Sequence, residues 1–484
     1  MESSYCDIKR LFPSLSVKVS RATLKGGSVE EFSLQIAGNT AHIQAASPLA
    51  EKFAMSQLLT ALHNNRFSDI IGETRPLFAN RLLWVNSTQR YALSADLEVS
   101  LPSYITSDCT GQIKQIIDQG YNMVVFAAPR RALPAKARKE LSFDELQKCL
   151  EQIRSMGLKV ALELHTPHAE EACSLHTITG RLKGKLDFLL CRQNSRMEKS
   201  SSFQKNNPTN QEKLLRELSF FEQQSQIPIL YSTTELDEMT LLLLANTVSS
   251  KSMISFSAST ESGAANWNLH PTFAELSRAP MAVASRLVPL IPLCQYPIRE
   301  GTWFSDFPLD FVENVLGRQV RDRFCGAGCI VDELSQPGTF AECPLWAIGQ
   351  RMWRHIPVYA NVETWFGRYH PNCKTFALKQ FLHQIHSLIC SLSLLDSQIQ
   401  ERAFAKTKRT IDRLAFELQV FSEDLQDYRT EMQYYPVDDS LEALSEYMYY
   451  FQSYVKKKLE TASQAVGSKI SLAIQDFSPV NFCV

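Results

Sequence analysis

Three consecutive segments decide how this chain is read: "GYNMVVFAAP" (120–129), "SFDELQKCLEQIRSMG" (142–157) and "LKVALELHTP" (158–167). The outer two are short apolar runs of strand length. The middle one is amphipathic and opens on Ser142 with Glu145 three residues later, the reciprocal pattern of a helix-starting capping box. Strand, helix and strand in that order predict a parallel pair, because a crossover helix returns the chain to the same end of the sheet.

The alternation continues in both directions. "RLLWVNS" (81–87) precedes it, and "KLDFLLC" (185–191), "IPILYST" (227–233), "MISFSAS" (253–259), "LVPLIPLC" (287–294) and "CGAGCIV" (325–331) follow. With the two strands above these make eight, and residues 81–355 have the usual size of a (β/α)8 barrel, roughly 250 residues. The expected fold is therefore α/β, a TIM-like barrel. Ahead of it, "FSLQIAGNTAHIQAAS" (32–47) alternates and turns at "GNT" as a β-hairpin, and residues 48–64 read as a helix started by Ser47 and Pro48. Residues 1–75 thus form a small α+β domain. Behind the barrel, Phe381, Ile385, Leu388, Leu392 and Leu395 recur at three and four, as do Ile411, Leu414, Leu418, Phe421 and Leu425. A further helix over 440–462 makes residues 356–484 an all-α domain.

The 484 residues are 44% hydrophobic and 21% charged with net charge -1, which describes a globular protein and offers no footprint for nucleic acid. No apolar run is long enough for a membrane span. "MESSYCDIKRLFPSLSV" (1–17) lacks a basic segment followed by an apolar core, so the expectation is a cytoplasmic protein with reduced cysteines. Cys325 and Cys329 form the one close pair among twelve cysteines; without a second Cys/His pair nearby they read as buried thiols rather than zinc ligands. No metal or other cofactor is expected.

In such a barrel the working groups stand at the C-terminal ends of the strands and on the loops after them. The third strand offers Glu163, His165 and His168, and the fifth is followed by Glu235. The sixth leads into "STESGAANWNLHPTF" (259–273), with Glu261, Asn266, Trp267 and His270; the seventh gives Gln295, Tyr296 and Arg299, then Trp303; the eighth gives Asp332 and Glu333. Each has a plainer reading. Glu163 is a catalytic carboxylate or a structural ion pair, depending on the face it occupies. Glu235 starts the segment "ELDEMTLLLL", where a carboxylate also favours the helix dipole. Trp267 and Trp303 are sugar platforms or loop packing.

The segment "FSLQIAGNTAHIQAASPLAEKFAMSQLLTAL" (32–62) is similar to the small domain that precedes the barrel in β-N-acetylhexosaminidases and α-glucuronidases. "GAGCIVDELSQPGTFAECPLWAIGQRMWRHIPVYANVETWFGRYHP" (326–371) resembles the end of the α-glucuronidase barrel and the start of its helical domain. This three-part resemblance spans most of the chain and implies a glycosidase in which one carboxylic acid protonates the leaving oxygen and a carboxylate activates water. The implied positions fall near Ser195, near Ala265 or Asn266, and near Gln295, all neutral here. Amides hydrogen-bond a sugar but do not transfer protons at ordinary pH. The hexosaminidase Asp-Glu pair is likewise missing from "CRQNSR" (191–196).

The expectation is a glycoside-hydrolase-like barrel with altered catalytic residues, binding uronic acid or N-acetylhexosamine glycosides. Glu163, Glu261 and Glu235 are its acid/base candidates, and His165, Asn266, Trp267, His270, Gln295 and Trp303 its contacts. The alternative is a non-catalytic scaffold that meets a protein partner through the helical domain and the polar 192–213 loop.

Overall fold

The computed structural model describes residues 8–24, 28–64, 72–87, 89–94, 97–106, 109–128, 139–165, 180–192, 227–233, 249–257, 281–292, 316, 322–332, 334, 337–338, 342–354, 356, 358–369, much of 384–399, 401–432 and 439–467. The chain divides into two compact units. One comprises residues 1–294, 315–337 and 348–355, the other 295–314, 338–347 and 356–484.

The first unit opens with a four-stranded sheet of β1 (Ser16–Arg21), β2 (Phe32–Ala37), β3 (Thr40–Ala45) and β4 (Gly72–Thr74), in the order β1-β3-β2-β4. β2 and β3 are the expected antiparallel hairpin, with Leu34 opposite Ile43. Helix α1 (Pro48–Asn64) packs on this sheet, and Ser47 Oγ accepts from the Ala50 N–H at 3.1 Å, satisfying one of its free N-terminal donors.

The barrel follows in the order β5 (Asn80–Asn86), β6 (Arg90–Ser94), β7 (Leu97–Ser100), α2 (Thr110–Asp118), β8 (Met123–Ala127), β9 (Lys139–Glu140), α3 (Phe143–Ser155), β10 (Lys159–His165), β11 (Phe188–Arg192), β12 (Ile229–Thr233), β13 (Met253–Ser257), α4 (Met281–Ala284), β14 (Leu287–Pro292), β15 (Gly326–Val331) and α5 (Cys343–Trp353). Every strand expected from sequence is present. β5, β8, β10, β11, β12, β13, β14 and β15 pair in parallel, and β15 returns to β5, closing an eight-stranded barrel. The Ser142–Glu145 capping box starts α3 as expected. A short extension grows from the C-terminal end of β10, with β7 antiparallel to β10, β6 antiparallel to β7 and β9 parallel to β6.

Side chains of alternate residues fill the barrel, among them Leu82, Met123, Ala161, Leu190, Leu230 and Val288. Closure depends on the glycines of β15. A β-carbon at Gly326 would overlap the Asn80 carbonyl, and one at Gly328 would overlap the Leu82 carbonyl and stand 2.7 Å from Leu82 Cβ. Backbone can approach this closely only where no side chain intervenes.

At the opposite end of β5, Arg81 is fully buried where the small domain meets the barrel. Its Nε donates to Gly120 O at 2.6 Å, Nη1 to Phe78 O at 2.8 Å and Nη2 to Glu30 Oε2 at 2.5 Å. Its guanidinium carbon stands 4.5 Å from the centre of the Trp353 ring system. Asn122 completes the cluster, donating to Glu30 Oε1 at 2.6 Å and accepting the Arg81 N–H at 2.7 Å. A buried charge is tolerable only when paired and hydrogen-bonded, and here both conditions hold.

Cys325 and Cys329 sit within this packing. Cys325 Sγ donates to Leu287 O at 3.4 Å, and Cys329 Sγ accepts from Tyr121 Oη at 3.3 Å. Burial pushes both thiols up to about 12, so they are protonated packing groups at neutral pH.

In the second unit α6 (Val358–Tyr369) precedes a helical segment in which Ile385, Leu388, Leu392 and Leu395 are buried. α7 (Phe404–Met432) and α8 (Asp439–Ala465) pack side by side, with Phe421 against Phe451 at 5.9 Å between ring centres. Ile411, Leu414, Leu418, Phe421 and Leu425 are buried along α7, as their spacing requires. Phe381 lies outside the described residues. Among the described residues no helix is long and apolar enough to cross a membrane.

Gly328→Ala forces the β15 backbone off β5. The expected loss is about 1–3 kcal/mol, typical of overpacking, measured as a lowered urea midpoint by far-UV circular dichroism.

Candidate functional site

Strand parity puts Trp84 and Asn86 of β5, Glu163 of β10, Arg192 of β11 and Asp332, just beyond β15, on the inner side of the barrel. All lie at the C-terminal ends of their strands. Trp84 is 2% exposed and forms the floor of this mouth.

Two polar groups are built on that floor. In the first, Arg192 Nε donates to Glu163 Oε1 at 2.7 Å, and Arg192 Nη2 donates to Glu163 Oε2 and to Ala128 O. The Ala128 N–H donates to Glu163 Oε2 at 2.9 Å. Arg192 thus ties β11 to β10 and to the end of β8, with its guanidinium carbon 5.6 Å from the centre of the Trp84 ring system. Fork-to-carboxylate pairing of this kind is among the stronger charge-assisted hydrogen bonds. Side-chain exposure is 12% for Arg192 and 11% for Glu163. Glu163 therefore faces the interior with both oxygens engaged, the geometry of an ion pair.

The second group lies on the seam between the eighth and first strands. Trp84 Nε1 donates to Asn86 Oδ1 at 2.9 Å, and Asn86 Nδ2 donates to Asp332 Oδ1 at 3.0 Å. The register makes this contact: Ile330 is opposite Trp84 and Val331 opposite Val85, so Asp332 falls beside Asn86. Asn86 is buried and Asp332 is exposed.

Of the residues singled out from sequence, Glu163 and Asp332 enter the site as described. His165 closes β10, its backbone opposite Glu98 of β7. Glu235, Glu261, Asn266, Trp267, His270, Gln295 and Trp303 lie outside the described residues, as do His168 and the 193–226 segment. Sequence reasoning passed over Trp84, Asn86 and Arg192. Their signal was present as parity: Asn86 two residues after Trp84 in "RLLWVNS", and Arg192 two after Leu190 in "FLLCR".

No family profile matches the sequence, and comparison with characterised proteins finds no match. Solved structures do resemble it. A GH138 enzyme targeting pectin rhamnogalacturonan II superposes with a TM-score of 0.56 over 93% of this chain at 9% identity, and the chain spans 65% of that enzyme's length. A GH20 exo-β-N-acetylglucosaminidase from Vibrio harveyi gives a TM-score of 0.46 at 10% identity, covering 76% of this chain and 72% of the enzyme. A β-N-acetylhexosaminidase gives 0.44 at 10% identity, covering 74% of this chain and 92% of the other. The closed barrel with its small leading sheet domain and trailing helices is a TIM-like glycosidase fold.

The two described carboxylates of the mouth separate by stability. Glu163→Gln leaves Arg192 buried beside a neutral amide and is expected to cost about 3 kcal/mol. Asp332→Asn, at an exposed position, should stay within about 0.5 kcal/mol of the parent. Urea midpoints of the two variants check the contrast.

Proposed function

We propose that this chain is a carbohydrate-active or carbohydrate-binding protein whose ligand seats at the barrel mouth, drawn from uronic acid or N-acetylhexosamine glycosides. The observation that supports it is the polar rim itself: a bidentate Glu163–Arg192 pair and an Asn86–Asp332 pair standing on Trp84 at the C-terminal end of a glycosidase-type barrel. That end of the barrel is where such enzymes work. The rim supplies fixed hydrogen-bond groups for a polar ligand, held in place by the buried Trp84 beneath them.

Asn266, Trp267, His270, Gln295 and Trp303 are the proposed contacts supplied by the loops, with His165 at the end of β10. Glu261 and Glu235 are the proposed acid/base pair if hydrolysis occurs. Glu163 supports the site by holding Arg192. A hydrolytic pair requires carboxyl groups about 5–5.5 Å apart for retention, or roughly 6.5–9.5 Å apart for inversion. The protein is proposed to work in the cytoplasm with its thiols reduced, without nucleic acid.

A second reading, an interaction scaffold, draws on α7, where Phe404 and Phe416 are 58% and 67% exposed. Large aromatic groups left in water on a helix suit a protein partner.

A thermal-shift screen against D-glucuronic acid, D-galacturonic acid, N-acetylglucosamine and their short oligomers separates the two. A binding sugar at about one hundred times its Kd should stabilise the chain by about 2.7 kcal/mol. A null result across the whole panel would refute the carbohydrate reading and leave the scaffold.

A further inference from the structure

We propose that Asp332 is the carboxylate through which the barrel mouth grips its sugar, accepting hydrogen bonds from ring hydroxyls, with Asn86 and Trp84 as the residues that position it. This rests on the carbohydrate reading above and assigns a specific group to it.

Donor and acceptor chemistry fixes the direction of the relay. An indole N–H can only donate. Because Trp84 Nε1 donates to one end of the Asn86 amide at 2.9 Å, that end is the oxygen. The other end is then the NH₂ group, and what it meets at 3.0 Å must accept. Asp332 Oδ1 is thus held as an acceptor, its orientation set by a tryptophan buried in the barrel.

Among the described residues the remaining acceptor capacity of Asp332 is unused: no other group donates to it and no cation pairs with it. Glu163 differs in every respect, since Arg192 and the Ala128 N–H occupy both of its oxygens. Of the two carboxylates, one is consumed in holding the mouth together and the other is presented to whatever enters it.

Charge decides what Asp332 meets. Glu163, Arg192 and Asp332 together leave one net negative charge on the described rim, so a uronate carboxylate brought to Asp332 would be repelled. Hydroxyl groups donate to a carboxylate without that penalty. Asp332 therefore contacts a hydroxyl-bearing face, and a uronic acid must seat its carboxylate elsewhere.

The test is the affinity of the full-length chain for those members of the same sugar panel that stabilise it, compared with Asp332→Asn, Asp332→Ser, Asn86→Ala and the Asn86→Ala/Asp332→Asn double variant. Unliganded melting temperatures establish that each is folded. Losing a hydrogen bond to a charged group should weaken binding at least about tenfold in both Asp332 variants. Asn86→Ala should weaken binding in the parent and have no further effect in the Asp332→Asn background, as expected of a residue acting through its neighbour. A merely structural Asn86 would weaken both backgrounds alike and overturn its positioning role. Unchanged or tighter binding by Asp332→Asn and Asp332→Ser overturns the assignment while the carbohydrate reading stands. A parent chain that responds to no sugar overturns both.

Discussion

The barrel closes because β15 carries glycine at the two alternate positions, 326 and 328, that press closest on the start of β5. Gly326 and Gly328 let one backbone approach the other to a distance that any β-carbon would block. Once that contact forms, the register along the seam is set over six residue pairs, from Gly326 opposite Asn80 to Val331 opposite Val85. The next residue on each strand is polar, Asp332 on one and Asn86 on the other, and they meet at 3.0 Å. The constraint that completes the fold also assembles part of its mouth.

Trp84 links this seam to the other side of the barrel. Its N–H edge orients Asn86, and its ring system faces the Arg192 guanidinium. A cation near an aromatic face gains from the ring's negative quadrupole, and more so away from water. The result is a mouth with two carboxylates in different circumstances. Glu163 is bound on both oxygens and contributes rigidity. Asp332 is bound on one oxygen and exposed. At the other end of β5, the buried Arg81–Glu30 pair secures the barrel to the small sheet domain. In this fold the N-terminal end of the barrel commonly serves stability, as the Arg81–Glu30 pair does here.

Much of the architecture could be read from sequence, because apolar period and capping chemistry are local. The eight strands, the hairpin over 32–45, the Ser142–Glu145 box and the buried faces of the C-terminal helices all follow from neighbouring residues. The site was harder for a physical reason. Asn86 and Asp332 are 246 positions apart, and only closure brings them together. Glu163 and Arg192 meet because the barrel's stagger sets β11 beside β10 with Leu190 opposite Glu163, a register that no single strand encodes. Attention to residue type favoured the histidines, tryptophans and glutamates of the loops. Attention to parity at the strand ends would have found Trp84, Asn86 and Arg192.

The division of labour between the two carboxylates can be measured without any ligand. Carbodiimide-activated coupling of glycine ethyl ester to the native chain, followed by peptide mass spectrometry, reports which carboxylates are reachable. The expected result is labelling of Asp332 under conditions that leave Glu163 intact until the chain is unfolded with urea. Equal labelling of the two, or labelling of Glu163 ahead of Asp332, would contradict a mouth in which Arg192 occupies one carboxylate and the seam presents the other.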